Sequence, residues 1–137
     1  MQRDDVVRGF DLSGSVTYAD AITRRNTAFP AAQGKRLPSV PNRKAVAVAT
    51  WHPADRIALT AAGRYASRNY ATLDNSDTVG NTYQGLYRYL VFDLRAQVKV
   101  TPHYTLAVGV DDVGNDRYFL FHPLPRRTFH ADVTVTL

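Results

Sequence analysis

Apolar and polar residues alternate one for one through six stretches of this chain. Only an extended strand, whose successive side chains point to opposite sides, turns that pattern into two distinct faces. In the first stretch, residues 8–19, Phe10, Leu12, Gly14, Val16 and Tyr18 share one face, opposite Asp11, Ser13, Ser15 and Thr17. The second, 43–51, sets Ala45, Ala47, Ala49 and Trp51 against Val46, Val48 and Thr50. The third, 56–70, sets Ile57, Leu59, Ala61 and Tyr65 against Arg56, Thr60, Arg64 and Arg68. The fourth, 92–100, is the cleanest, with Phe92, Leu94, Ala96, Val98 and Val100 opposite Asp93, Arg95, Gln97 and Lys99. Residues 104–111 and 129–137 repeat the pattern, the last with Phe129, Ala131, Val133, Val135 and Leu137 opposite His130, Asp132, Thr134 and Thr136. No stretch supplies the spacings of three and four that a helix needs, so the expectation is an all-β, six-stranded antiparallel up-and-down meander.

The connections alternate in length. His52, Pro53, Ala54 and Asp55 make one short turn, and Thr101, Pro102, His103 and Tyr104 another. Between them fall long polar stretches at about 20–42, 71–86 and 113–125. Short turns on one rim and long loops on the other characterise outer-membrane barrels. An even strand count places both chain ends on the short-turn side. Aromatic residues fit two interfacial girdles, with Trp51 and Tyr104 at the short-turn ends and Tyr70, Tyr87, Tyr89 and Phe129 near the long-loop ends. Asp93, Arg95, Lys99, Arg56, Arg64, Arg68, Asp132, Asp11 and Asp111 all fall on the polar side. Burying so many charges in a small dry core is very costly, whereas a wet or plugged barrel interior accommodates them.

Composition narrows the rest. No run of about 18 apolar residues is present, which excludes a membrane helix and says nothing against membrane strands. Cysteine is absent, which removes disulfides and thiolate chemistry. The net charge is +5, yet the cations come as scattered doublets such as Arg43–Lys44 and Arg126–Arg127, without the basic helix or basic-aromatic platform that binds nucleic acid. The first residues, MQRDDVVRGFDLSG, contain no apolar h-region of a signal peptide; for an outer-membrane protein that points to a fragment, an isolated domain piece or a truncated reading frame.

Two blocks carry a family resemblance. Residues 109–129, GVDDVGNDRYFLFHPLPRRTF, resemble the C-terminal end of TonB-dependent outer-membrane receptors. Val113, Asn115, Asp116, Tyr118, Pro123, Pro125, Arg126, Thr128 and Phe129 fill positions of that family's turn, tyrosine-rich stretch and lead-in to the last strand. Residues 34–53, GKRLPSVPNRKAVAVATWHP, are similar to its G-x-x-L-P-x-V-P loop and descending strand. The resemblance implies a 22-stranded transmembrane barrel with a plugged lumen, of which residues 1–137 are the last six strands. It also implies nutrient uptake, typically of ferric siderophore, in the intact receptor. Partners would be outer-membrane lipid and lipopolysaccharide, the rest of the barrel and its plug, the barrel-assembly machinery through the final strand, and TonB through the N-terminal part of the receptor. The fragment alone is not expected to transport. Two positions depart from the pattern: Leu137 stands where a terminal Phe is usual, and Asp112-Val113-Gly114 replaces Asn-Leu-Phe.

No residues are arranged for catalysis, and no cofactor or metal is implied. The four histidines lack ligand spacing, Asp4–Asp5 and Asp111–Asp112 do not form a working carboxylate pair, and Gly80, Gly85 and Gly114 are loop glycines. The remaining candidates are loop residues. Arg24, Arg25, Lys35 and Arg36 offer charge to an anionic ligand; Tyr83, Tyr118, Phe119 and Phe121, with Tyr87 and Tyr89, offer rings to stack on. The favoured account of these residues is simpler, namely lipopolysaccharide contact or solvation. The alternative fold is a small soluble up-and-down β-barrel that binds a hydrophobic ligand, which needs about eight strands closing within one chain.

Overall fold

The computed structural model describes residues 2–7, 9–77 and 80–137, the first six by their backbone. The strands are β1 (Gln2–Val7), β2 (Phe10–Tyr18), β3 (Arg43–Ala54), β4 (Ile57–Ala66), β5 (Tyr89–Lys99), β6 (Tyr104–Asp111), β7 (Phe119–Leu120), β8 (His122–Pro123) and β9 (Thr128–Val135). The expected meander is present as antiparallel neighbours β2, β3, β4, β5, β6 and β9. β7 and β8 form a separate small hairpin within the last long loop.

β1 extends the sheet beyond the expected strands. It pairs with β2 through Val7↔Phe10 on the short-turn rim and reaches back to Gln2↔Ser13, with an irregularity between. The start of the chain therefore lies against the middle of β2, which corrects the parity argument that put both ends on the short-turn side. Arg8, the expected first residue of the first strand, lies outside the described residues, as do the side chains of Asp4 and Asp5. Gly9 makes the turn with φ +76, and a Cβ there would lie 2.9 Å from the His52 carbonyl oxygen. The His52 N–H in turn donates to Gly9 C=O at 2.7 Å. β3 also runs further than expected, through Pro53 to Ala54, because the register shifts between Trp51 and Ala54 and a bulge tolerates proline.

Residue by residue, the register keeps one face apolar. The row Phe10, Trp51, Leu59, Ala96, Val108, Ala131 crosses the sheet as successive partners; the row two residues above it is equally apolar, and so is the row two below it from β4 to β9, Ile57, Val98, Leu106 and Val133. Interfacial rings trace oblique lines across this face. Tyr18 lies eight residues above the row on β2, Tyr65 six above on β4, Phe92 four above on β5 and Phe129 two above on β9. Below, Trp51 lies on the row in β3 and Tyr104 four residues beneath it in β6. Both lines descend by about one residue per strand, which at ~3.4 Å per residue and ~4.8 Å per strand gives a strand tilt of about 40°. The eight residues from Phe10 to Tyr18 then span about 20 Å of height, close to the ~25 Å apolar band of outer-membrane barrels once the rings' reach is added. This replaces the expected upper girdle in part. Phe129 belongs to it, but Tyr89 points to the opposite face, and Tyr70 and Tyr87 flank the Arg68 guanidinium at 5.0 and 5.7 Å.

The opposite face is polar and internally paired. Arg64 meets Asp93 at 3.0 Å, Arg95 meets Asp132 at 2.9 Å, and the Thr50 and Thr60 hydroxyls lie 3.0 Å apart. All of these side chains alternate with the apolar set, so the sheet has the inverted character of a wall between hydrocarbon and water.

Candidate functional site

On the rim above β2–β5 and β9 the long connections fold together into a cap. Residues 19–42 return on themselves through the Ile22↔Arg36 bridge and a single 3-10 turn at Pro30–Ala32. Residues 67–88 clasp that loop: Asn75 Oδ1 accepts from Arg36 N–H at 2.8 Å, Asn75 Nδ2 donates to Arg36 C=O at 2.9 Å, and Ser39 N–H donates to Tyr70 C=O. The third loop joins the second through the Leu86↔Leu120 bridge, Phe121 N–H to Gly85 C=O and Asn81 to the backbone of Arg117 and Phe119.

Polar side chains organise each loop from within. The Asp77 carboxylate accepts from Ala71 N–H at 2.9 Å and from the Thr72 hydroxyl at 2.9 Å. Burial pushes its pKa up, but these hydrogen bonds outweigh burial and hold it below the ordinary aspartate value. Asp112 is 2% exposed and adopts φ 50, a conformation that Asp and Asn tolerate best among side chains with a Cβ. Its Oδ1 accepts from Asp116 N–H at 3.0 Å, and its own N–H donates to Asp93 at 2.9 Å, while Oδ2 is buried without a hydrogen bond. Tyr118 packs against Tyr89 with ring centroids 5.0 Å apart, and burial raises its pKa, opposed by the nearby Arg64 charge.

The expected ligand residues separate into two groups. Arg24, Arg25, Lys35 and Arg36 are exposed in the first loop and form no ion pair among the described residues, although the Arg36 backbone is held by Asn75. Tyr83 and Phe121 come together with His122, at 6.4 Å ring to ring and 5.7 Å from Tyr83 to the imidazole. Tyr118 and Phe119 are 6% and 3% exposed, so their rings fill the cap's interior. Among the described residues no three metal-binding side chains converge. His52 instead meets Asp11 at 3.1 Å, His130 lies 3.7 Å from Asp111, and His103 Nδ1 sits 3.0 Å from Thr136 C=O. Two features were not anticipated. One is the Arg68 stack between Tyr70 and Tyr87; the other is Arg88, exposed just before β5 begins, with its guanidinium 6.0 Å from the Tyr87 ring.

The cap thus presents exposed cations and one exposed ring cluster above the sheet. The family model for the TonB dependent receptor-like beta-barrel matches residues 3–113. No curated protein matches the chain significantly. Among solved structures, the chain is similar to the ferric-catecholate import receptor Fiu of E. coli K12, with 15% identity, TM-score 0.75, and 95% of this chain covering 19% of that one. It is also similar to the ferric enterobactin receptor PfeA of Pseudomonas aeruginosa, with 18% identity, TM-score 0.73, and 96% covering 20%. The copper transporter OprC matches with 20% identity, TM-score 0.68, and 95% covering 21%. At such identities the likeness is one of fold, and the chain spans about a fifth of the length of each. The chain belongs to the TonB-dependent receptor β-barrel family, whose barrels sit in the bacterial outer membrane as transport receptors and not as enzymes.

Proposed function

We propose that this chain forms the C-terminal end of the barrel wall in a receptor that imports a scarce nutrient, a ferric siderophore in the first instance. The observation that carries the wall reading is the pair of oblique aromatic lines enclosing an apolar band, backed by a face of paired charges. The C-terminal placement rests on the resemblance of the block from Gly109 to Phe129, with its turn, tyrosine-bearing stretch and Pro/Arg/Thr lead-in to β9, to the family's closing segment. The siderophore reading rests on similarity to receptors described as ferric-enterobactin and ferric-catecholate receptors, and the copper transporter marks the competing cargo. Arg24, Arg25, Lys35, Arg36, Tyr83 and Phe121 are the candidate loop residues exposed to meet a ligand, whereas Tyr118 and Phe119 are buried in the cap. In the intact receptor the plug would pack on the paired charges, TonB would act through the plug, and the barrel-assembly machinery would engage β9.

The chain by itself supplies wall and transports nothing. Expressed without detergent it is expected to aggregate, because the edges of β1 and β9 and the apolar face are all open. In lipid vesicles it is expected to form sheet, with Trp51 quenched by bromine placed near the headgroups and not by bromine at the bilayer centre. A monodisperse, cooperatively folding soluble monomer would sink the wall reading and revive a small soluble barrel.

A further inference from the structure

Basic residues stand side by side at four places in the chain, and three of these pairs are tied down. Arg43 and Lys44 open β3, between Tyr18 and Thr17 of β2 and Ala66 of β4. Lys35 N–H donates to Ala32 C=O at 3.1 Å, and Lys35 C=O accepts from Thr23 N–H at 2.9 Å. The Arg36 backbone is held at both ends by Asn75, at 2.8 and 2.9 Å. Arg126 and Arg127 spend their guanidiniums on the carbonyls of Asn115 and Val113, at 3.1 and 2.5 Å, and Arg127 N–H donates to Asn115 Oδ1 at 3.3 Å.

Arg24 and Arg25 differ. Both are exposed, and neither makes a hydrogen bond or an ion pair among the described residues, by side chain or by backbone. From Arg24 to Ala28 the one backbone group engaged among the described residues is the Asn26 carbonyl, which accepts from the Gln33 side chain at 3.3 Å. The ends of this open segment are fixed. On one side Thr23 N–H donates to Lys35 C=O at 2.9 Å and Thr23 C=O accepts from Gly34 N–H at 2.8 Å. On the other, Asn26 Oδ1 accepts from Phe29 N–H at 2.8 Å.

We infer that the Arg25–Asn26 bond is a processing site for a serine endopeptidase that recognises two basic residues. Such an enzyme draws an extended segment into its cleft by backbone hydrogen bonds and seats successive side chains in separate pockets. It therefore needs unbonded backbone and free guanidiniums together, on an exposed loop. Of the four pairs, Arg24–Arg25 alone offers both among the described residues. Hydrolysis adds one water across the peptide bond: the C–N bond breaks, Arg25 keeps the new carboxylate, and the Asn26 amine takes up the proton. The hydrogen bonds at Thr23 and Asn26 tie down both new ends, and the nine residue pairs of β2 with β3 hold residues 1–25 on the sheet. The cut opens the loop tip and leaves the sheet whole.

The whole chain, folded in detergent micelles, is digested with kexin, a dibasic-specific endopeptidase, and each cut is timed by mass spectrometry. The expected first products are residues 1–25 and 26–137, with the bond after Arg25 cut about tenfold faster than those after Arg36 and Arg127. Short peptides spanning the three pairs should be cut at similar rates, which assigns the difference to the fold. Circular dichroism of the sheet should survive the cut. Arg24→Gln should abolish it, and Asn75→Ala, which frees the Arg36 backbone, should bring cutting after Arg36 up toward the rate after Arg25. Cutting after Arg36 or Arg127 as fast as after Arg25 in the folded wild type overturns the inference. So does a folded wild type left whole while the Arg24–Arg25 peptide is cut. Both of these readouts use the wild type, so they decide the matter even where Asn75→Ala does not fold.

Discussion

Val108 and Val135 look alike by every criterion that matters to a water-soluble protein. Both point out of the same face, at 58% and 54% exposure, and in water replacing either with arginine changes stability by only about 0.5 kcal/mol. Against hydrocarbon they separate. Val108 stands four residues above Tyr104 on β6, about 10 Å up from the lower aromatic line at a tilt of about 40°, which is near the middle of the band. Val135 is the register partner of Tyr104 on the next strand and lies within about one residue, ~3 Å, of that line. Arginine on a lipid face costs about 2–4 kcal/mol at mid-depth and about 0–1 kcal/mol at the interface, so Val108→Arg should cost about 2 kcal/mol or more beyond Val135→Arg. The assay is reversible guanidinium unfolding of the chain in phosphatidylcholine vesicles. The single tryptophan, Trp51, reports the transition from the same face. Two small, equal effects would mean that the face does not meet hydrocarbon. Two large, equal effects would refute the oblique band, because they would put Tyr104's row at the same depth as Val108's.

Other perturbations address the cap and the inner face. Asp112→Asn keeps the acceptor for Asp116 N–H and removes a buried charged oxygen that has no hydrogen bond, so it should stabilise the chain by about 1 kcal/mol in the same unfolding assay. A loss of stability would show that the charge has an essential partner. Asp77 has its pKa lowered in the folded loop, so its contribution is complete above about pH 4 and is lost as the pH falls through the folded-state value. Hydrogen-exchange protection of the Ala71 and Thr72 amides should follow that course, and in Asp77→Asn it should be weak at every pH. A double-mutant cycle on Arg95 and Asp132, each 41% exposed, should return a coupling of about 0.5 kcal/mol that shrinks in high salt. A coupling several times larger would mean that the pair is shielded from water by something packed against the inner face.

The strands were legible in the sequence because a sheet with two unlike faces writes its period into every second residue. The exceptions are instructive. β1, QRDDVV, places Arg3, Asp4 and Asp5 in succession and then two valines, so it carries no alternation, and only the register with β2 reveals it. Pro53 reads as a turn residue, yet a bulge between Trp51 and Ala54 absorbs it inside β3. The third stretch alternates on to Tyr70, but β4 stops at Ala66, where the Ser67 hydroxyl turns back to accept from Arg43 N–H at 3.0 Å. The girdle was harder still. Which rings share a height depends on the lateral offset between strands, and that offset is a property of pairing, not of any one segment. The loop site was least legible, since the burial of Tyr118 and Phe119 and the hold of Asn81 on the backbone of Arg117 and Phe119 arise from contacts between loops far apart in sequence.

On the proposed placement at the closing end of a 22-stranded wall, the one-residue step from strand to strand also constrains how the rest of the barrel meets β9. It makes the wall a ramp, on which each strand starts a little lower than the last. A closed wall of 22 strands built at this pitch comes full circle with its pairing offset by about 22 residues or slightly more. The free edge of β9 can then meet its neighbour across the seam with ring facing ring at only one setting. A slip of two residues there would keep every apolar side chain outward and every hydrogen bond made, yet would leave one lip of the seam about 5 Å out of the membrane. What guards against that error is height and not chemistry, and the aromatic residues that mark the height are spread along the whole ramp.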